Sequence, residues 1–273
     1  MEPDEIKGHY GTEPLLARID EALWRAGLGD RSLGWADLVP LDQFHVGGLG
    51  ATRELAESLG IDAGANVLDV GCGLGGPARF LAATYACQVT GIDLSRPFVD
   101  AARMLTERAG LSDMVTFRHA DALDLPFADQ SFDHAWTQHV AMNIADRAGF
   151  YASVRRVLRP DGCLAIYDVV AGHGGPPTFP VPWARGPETN FLLTPEAMRE
   201  ALVRAGFAEV SWADKTDAGR AWAAEMQARR EAKPAPLGLH IVMGPQFADM
   251  AANLGRDLRE GRVRLVQAIM ARA

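Results

Sequence analysis

No run of about 18 consecutive apolar residues occurs in this chain of 273, so a membrane-spanning helix is not expected. Cysteine is scarce. Cys72, Cys87 and Cys163 are the three present, and their spacing fits no metal-ligand pattern, so no metal site is expected. The opening MEPDEIKGHY is polar and acidic, unlike a secretory leader, and an odd cysteine count in that setting argues for reduced thiols. Cytoplasm is the expected compartment. Clustered basic charge is also missing. Arg155–Arg156 and Arg229–Arg230 read as solvated helix faces, and the net charge is −8. A nucleic-acid partner is therefore disfavoured, because a phosphate backbone needs a basic surface. Internal repeats and low-complexity stretches are absent. With 48% apolar residues the chain can bury one large α/β core, with a helical cap; nothing in it reports the oligomeric state.

What is present in quantity is glycine, concentrated in VLDVGCGLGGPAR, residues 67–79. Apolar residues run up to Asp69, Gly71, Gly73, Gly75 and Gly76 follow, and helix-compatible sequence starts at Pro77. A buried strand turning into a helix through residues without a Cβ lets backbone N–H groups and a helix N-terminus approach a ligand closely. A second strand, CQVTGIDLS, ends at Asp93, 22 residues after Gly71. An acid at that place, followed by Leu94, can accept both hydroxyls of a ribose. Gly71, Gly73 and Gly76 also fit the dinucleotide pattern G-x-G-x-x-G, which leaves an NAD-dependent oxidoreductase open. Asp69 makes the pattern D-x-G-x-G-x-G, and an acid at the turn suits an ammonium-bearing ligand better than a pyrophosphate. Asp121 and Ala122 follow a third short strand, where a carboxylate can accept from an adenine amino group. S-adenosylmethionine is the expected cofactor.

Strands are expected at 66–70, 88–93, 115–118, 133–138 and 163–169, alternating with helices at 76–85, 97–109, 148–157 and 194–205. Such alternation implies a parallel sheet. TEPLLARIDEALWRAG and ATRELAESLG read as helices before it, with Thr12 as an N-cap. GHGGPPTFPVPWARGP, residues 172–187, carries five prolines and is expected to be an ordered loop over the site. Thr194 caps the next helix and AEVSWADK is a strand. Two helical segments, DAGRAWAAEMQARREA and GPQFADMAANLGRDLREG, precede the final strand VRLVQAIMAR.

Methyl transfer from a sulfonium is an in-line displacement that needs the nucleophile about 3 Å from the methyl carbon, with water excluded. A base is required when the nucleophile carries a proton. Gln138 and His139 end the fourth strand, where ligands of open α/β sheets sit. His139 is a candidate base, or else a pocket-shaping histidine held by a backbone carbonyl. LDQFHVGG places Gln43 and His45 before a Gly-Gly pair, where they can fold over the cofactor or reach the substrate, which makes His45 a second candidate catalytic residue; a plain interdomain loop with a surface histidine is the alternative. Tyr10 is a lid candidate. Phe179, Trp183 and Met243 are candidates for an apolar or cation-binding wall, where an aromatic ring contributes roughly 0.5–2 kcal/mol to holding an ammonium group. His240, close to Met243, is a further histidine of that region.

These segments resemble class I S-adenosylmethionine-dependent methyltransferases. The fuller similarity, through LDQFHVGG, GCGLGGPARFLA, WTQHVAMNIADR, VPWARGP and MGPQFADMAANL, is to the bacterial sarcosine/dimethylglycine-like (UbiE-type) small-molecule methyltransferases. The resemblance implies a Rossmann-like doubly wound sheet, mostly parallel with an antiparallel last strand. It also implies a helical lid over residues 1–60 and a Rossmann-like domain over 61–273 with a cap insertion at about 172–262. Related O-methyltransferases often carry a His pair at the positions of Met142 and Asn143, neither of which can act as a base. That departure favours N-methylation of an amine, with Met142 and Asn143 as candidate substrate-facing residues and Asn143 able to orient the substrate. O- or C-methylation of a specialised metabolite and a non-catalytic cofactor-binding protein are the alternatives.

Overall fold

Apolar side chains on both faces of NVLDV bury β1 (Asn66–Val70) from Val67 to Val70, as a central strand of a parallel sheet requires. The computed structural model describes residues 15–232 and 235–273; Tyr10 and the Thr12 cap lie outside them. Ahead of β1 come α1 (Leu15–Arg25), the short α2 (Val39–Asp42) and α3 (Gly48–Leu59). After it run α4 (Gly76–Tyr85), β2 (Gln88–Asp93), α5 (Arg96–Arg108), β3 (Val115–His119), β4 (Phe132–Gln138), α6 (Arg147–Val157) and β5 (Leu158–Ala171). The chain then forms α7 (Pro195–Arg204), β6 (Phe207–Asp214), α8 (Thr216–Ala232), α9 (His240–Met243), α10 (Phe247–Arg259) and β7 (Val263–Arg272).

The seven strands stand in the order β3-β2-β1-β4-β5-β7-β6. β1 to β5 pair in parallel, and β7 inserts antiparallel between β5 and β6. This is the doubly wound sheet with an antiparallel last strand that the resemblance implies. β5 begins five residues earlier than its apolar run predicts. Leu158 pairs with Phe132 and Cys163 with His134, so RPDG is accommodated at a register shift in the ladder.

Helix starts follow local chemistry. Thr194 Oγ1 accepts from Ala197 N, with Pro195 in the first turn. Asp146 caps α6 by accepting from Gly149 N at 2.9 Å. The helix expected from Gly244 onward starts at Phe247, and an additional short helix, α9, ends just before Gly244, which takes φ 78° and separates the two.

The span 172–262 is not one insertion. α7 and β6 belong to the sheet layers, which leaves two additions: the proline-rich loop, and the α8–α10 helices between β6 and β7. That loop is pinned by Asn253 Nδ2 on Pro180 O at 2.9 Å and by Thr178 N on Asp257 Oδ2 at 2.8 Å. Of the N-terminal region, Leu15, Ile19, Leu23, Leu38 and Leu41 share one core with Phe98 and Leu105 of α5 and with Val242 of α9. No helix among the described residues is long and apolar enough to cross a membrane.

Candidate functional site

A cavity of about 710 Å³ opens at the carboxyl ends of β1, β2, β3 and β4. One half is built from Gly71 and Gly73, Asp93 and Leu94, Asp121 and Ala122, and Gln138 and His139, so the ends of four strands converge on it as the sequence leads one to expect. Gly71 and Gly73 have φ of 77° and 54°; a Cβ on Gly71 would stand 2.3 Å from Val140 Cγ2, and one on Gly73 would stand 3.2 Å from the Phe44 ring. The turn is therefore a cradle that only glycine keeps open. Asp93 accepts from Gly73 N at 3.0 Å and from Ser95 N at 2.8 Å while it faces the cavity. Burial raises its carboxyl pKa, and the two N–H groups and His119 work against that rise.

Several predicted residues lie elsewhere. Asp69 is buried and does not line the cavity. Burial, with Asp93 adding to it, pushes its carboxyl up to about 8. Gly75 also lies off the cavity, under the ring of Phe117. Gln43 is turned inward: its Oε1 accepts from Thr52 Oγ1 at 2.9 Å and its Nε2 donates to Asp42 Oδ1 at 3.3 Å. Phe179 packs on the core instead of the cavity wall, and His240 is not on the wall either. Cys72 is a buried free thiol whose pKa burial pushes well up.

The two histidines differ. His139 holds φ 55°, a left-handed conformation uncommon outside glycine, and such strain persists where the surroundings over-determine it. Its backbone N donates to Tyr167 O at 2.8 Å, and its ring Nδ1 lies 3.1 Å from the same oxygen. A carbonyl only accepts, so Nδ1 carries the proton and Nε2 accepts from Val46 N at 3.3 Å. Both ring nitrogens are engaged, and burial lowers the pKa to about 4. His45, whose ring centroid is 6.1 Å from that of His139, has Nε2 at 3.0 Å from Gly48 O and 2.9 Å from Thr52 Oγ1. Burial, with His139 assisting, lowers its pKa to about 3. Gly47 and Gly48, at φ 86° and 50°, make the turn that brings this carbonyl back to the ring.

The other half of the cavity carries an apolar wall, with Asp146, Arg185, Glu188, Thr189 and Arg230 also lining it. Met142, Trp183 and Met243 stand on it as expected, with Trp222, Met226 and Leu254 as residues the sequence reading missed. Their signal was helical spacing: Trp222 and Met226 lie one turn apart on α8, and Phe247, Ala251 and Leu254 share a face of α10. Asn143 also lines the cavity, but its Nδ2 donates to Trp183 O at 2.7 Å and so anchors the proline-rich loop. Among the described residues no group of three or more His, Cys, Asp or Glu side chains is arranged to hold a metal ion.

An open α/β sheet with a glycine turn, an acid at the end of β2 and a further chamber beside them forms the candidate site. Residues 68–166 match the family model of the methyltransferase domain. The chain is 35% identical over 187 residues to the O-methyltransferase resE of Aspergillus sclerotiorum, covering 67% of this chain and 70% of that protein. It is 42% identical over 136 residues to the methyltransferase GfsG of Streptomyces halstedii, covering 50% and 49%. The chain thus spans about half the length of GfsG. The geranyl diphosphate C-methyltransferase of Streptomyces coelicolor A3(2) shares the fold at a TM-score of 0.71 and 17% identity, covering 99% of this chain and 98% of that one.

The chain belongs to the S-adenosylmethionine-dependent methyltransferases. The cavity fits that cofactor: Gly71 and Gly73 leave room for close backbone approach, Asp93 presents a carboxyl group on the wall, and among the described residues the buried Gln138 Nε2 on the wall lacks a partner.

Proposed function

We propose that this chain transfers a methyl group to a hydroxyl oxygen of a bulky, largely apolar small molecule. The observation that carries the reading is the acceptor half of the cavity. Trp183, Trp222, Met226, Met243 and Leu254 form a wall suited to ring systems or long carbon skeletons, and the whole cavity of about 710 Å³ lies in the upper part of the roughly 300–1,000 Å³ usual for ligand sites. A compact amine of the sarcosine type would leave most of that wall in contact with water. O-methyltransferases among the named relatives support the same direction. S-adenosylmethionine supplies an activated methyl on a sulfonium. Asp93 and Leu94 hold the ribose, Asp121 and Ala122 the adenine, and Gly71, Gly73 and Gln138 the methionyl part. Residues up to 60 close the cofactor side through Phe44 and Val46, and α8–α10 enclose the acceptor.

The departure at Met142 and Asn143 argued for an amine. It counts for less once a second histidine, His45, lines the cavity from another part of the chain. The test is a panel of polycyclic phenols, aliphatic alcohols, carboxylates and amines including sarcosine, incubated with methyl-labelled S-adenosylmethionine. Label in hydroxyl compounds, with Ala251→Trp raising acceptor KM but not S-adenosylhomocysteine affinity, is the expected result. Label confined to amines would refute the reading.

A further inference from the structure

We propose that His45 is a catalytic residue whose Nδ1 receives the proton of the acceptor hydroxyl. The inference rests on the hydroxyl-acceptor reading above and names the group that serves it.

The tautomer follows from the partners. Gly48 O, 3.0 Å from His45 Nε2, can only accept, so Nε2 carries the ring proton. Thr52 Oγ1, 2.9 Å from the same nitrogen, is free to receive it as well, because its own proton goes to Gln43 Oε1 at 2.9 Å. Gln43 is oriented in turn by Asp42, which takes the donation of its Nε2. The chain Asp42–Gln43–Thr52–His45 thus leaves Nδ1 as the nitrogen with the lone pair. Among the described residues no donor reaches that atom, and His45 lies on the cavity wall.

His139 offers the contrast. Its two nitrogens are occupied by Tyr167 O and Val46 N, so its lone pair is already used. The rings that face His45 are those of His139 and Tyr167, at 6.1 and 6.2 Å between centroids. His45 is neutral under ordinary conditions, since burial holds its pKa near 3, and its lone pair is available across the physiological range. A weak base suffices here, because the proton of a hydroxyl becomes strongly acidic as its oxygen acquires a methyl group. As the oxygen–carbon bond forms, the carbon–sulfur bond breaks with its electron pair left on sulfur. The hydroxyl proton passes to Nδ1. The positive charge that was on the sulfonium is then on the imidazolium, which later releases its proton to water.

The test uses His45→Gln. Its side-chain amide can still donate to Gly48 O but offers no base at the place of Nδ1. With a hydroxyl acceptor identified in the panel, kcat falls roughly 10²–10⁴-fold while S-adenosylhomocysteine affinity stays near wild type. The deficit shrinks along a series of phenols from unsubstituted to nitro-substituted, since an ionised acceptor has no proton to give. An equal loss on every phenol, or no loss, overturns the role. Independently of turnover, ¹⁵N NMR of histidine-labelled protein with S-adenosylhomocysteine should show His45 protonated at Nε2 and bare at Nδ1 at neutral pH. The opposite tautomer overturns the inference. A wild-type protein that methylates amines alone overturns both the hydroxyl reading and this role. Hydroxyl methylation with an unaffected His45→Gln variant removes the role and leaves the reading standing.

Discussion

Arg79→Met should loosen the cofactor side of the cavity from below. Arg79 and Asp42 are both fully buried and pair at 2.7 Å between Nη2 and Oδ2. The guanidinium also donates to Leu74 O at 2.7 Å and to Thr106 Oγ1 at 2.8 Å. It therefore ties α2 to the glycine turn and to α5. Methionine fills much of the volume but leaves the Asp42 carboxylate buried without its cation. Breaking such a pair by removing one partner costs about 3–5 kcal/mol. At roughly 2–4 °C per kcal/mol for a chain of this size class, the melting temperature drops by roughly 6–20 °C.

The effect depends on pH. Burial already raises the Asp42 pKa, and losing Arg79 raises it further. A carboxyl whose folded-state pKa lies above its unfolded value binds its proton more tightly when folded, so its contribution is present at low pH and lost as pH rises through the folded pKa. The gap to wild type should therefore widen from acid toward neutral pH. Urea titrations at several pH values measure this, and Asp42→Asn combined with Arg79→Met should recover part of the loss. Because the clamp carries the segment that puts Phe44, His45 and Val46 on the cavity, S-adenosylhomocysteine affinity should fall as well. A variant that unfolds with wild-type energetics at neutral pH would show that the pair does not hold this segment.

Asp93→Ala should weaken S-adenosylhomocysteine binding by about 1–3 kcal/mol in calorimetry, the usual cost of losing charged hydrogen bonds; unchanged affinity would remove Asp93 from the site. Gly71→Ala should abolish cofactor binding with a near-normal circular dichroism spectrum, since its Cβ would meet Val140 at 2.3 Å on a backbone of φ 77°. Retained binding would make the cradle purely structural. His139→Gln should lower stability and cofactor affinity, yet its kcat deficit should fall well short of the roughly 10²–10⁴-fold cost of losing a base. A deficit of that full size would mean that His139, despite its two engaged nitrogens, carries the proton.

Local chemistry made much of the fold legible. NVLDV followed by four glycines in six residues can hardly be anything but a buried strand feeding a tight turn, and Thr194-Pro195 marks its helix start without any tertiary context. The acids after β2 and β3 were readable too, because strand ends place them. Asp69 lies buried off the cavity wall, and its spacing from the glycines does not reveal which way a side chain points from a buried strand. Which of the two candidate histidines has both ring nitrogens engaged also stayed out of reach. His139 stands where a base is expected, and only the packing of Tyr167 and Val46 around it shows both nitrogens taken. His45 lies 93 residues earlier than Gln138, and only folding brings it to the end of β4 with its tautomer set by Gly48. Periodicity and turn chemistry are written in neighbouring residues, whereas a proton's position on a ring depends on partners that the chain brings together from far apart.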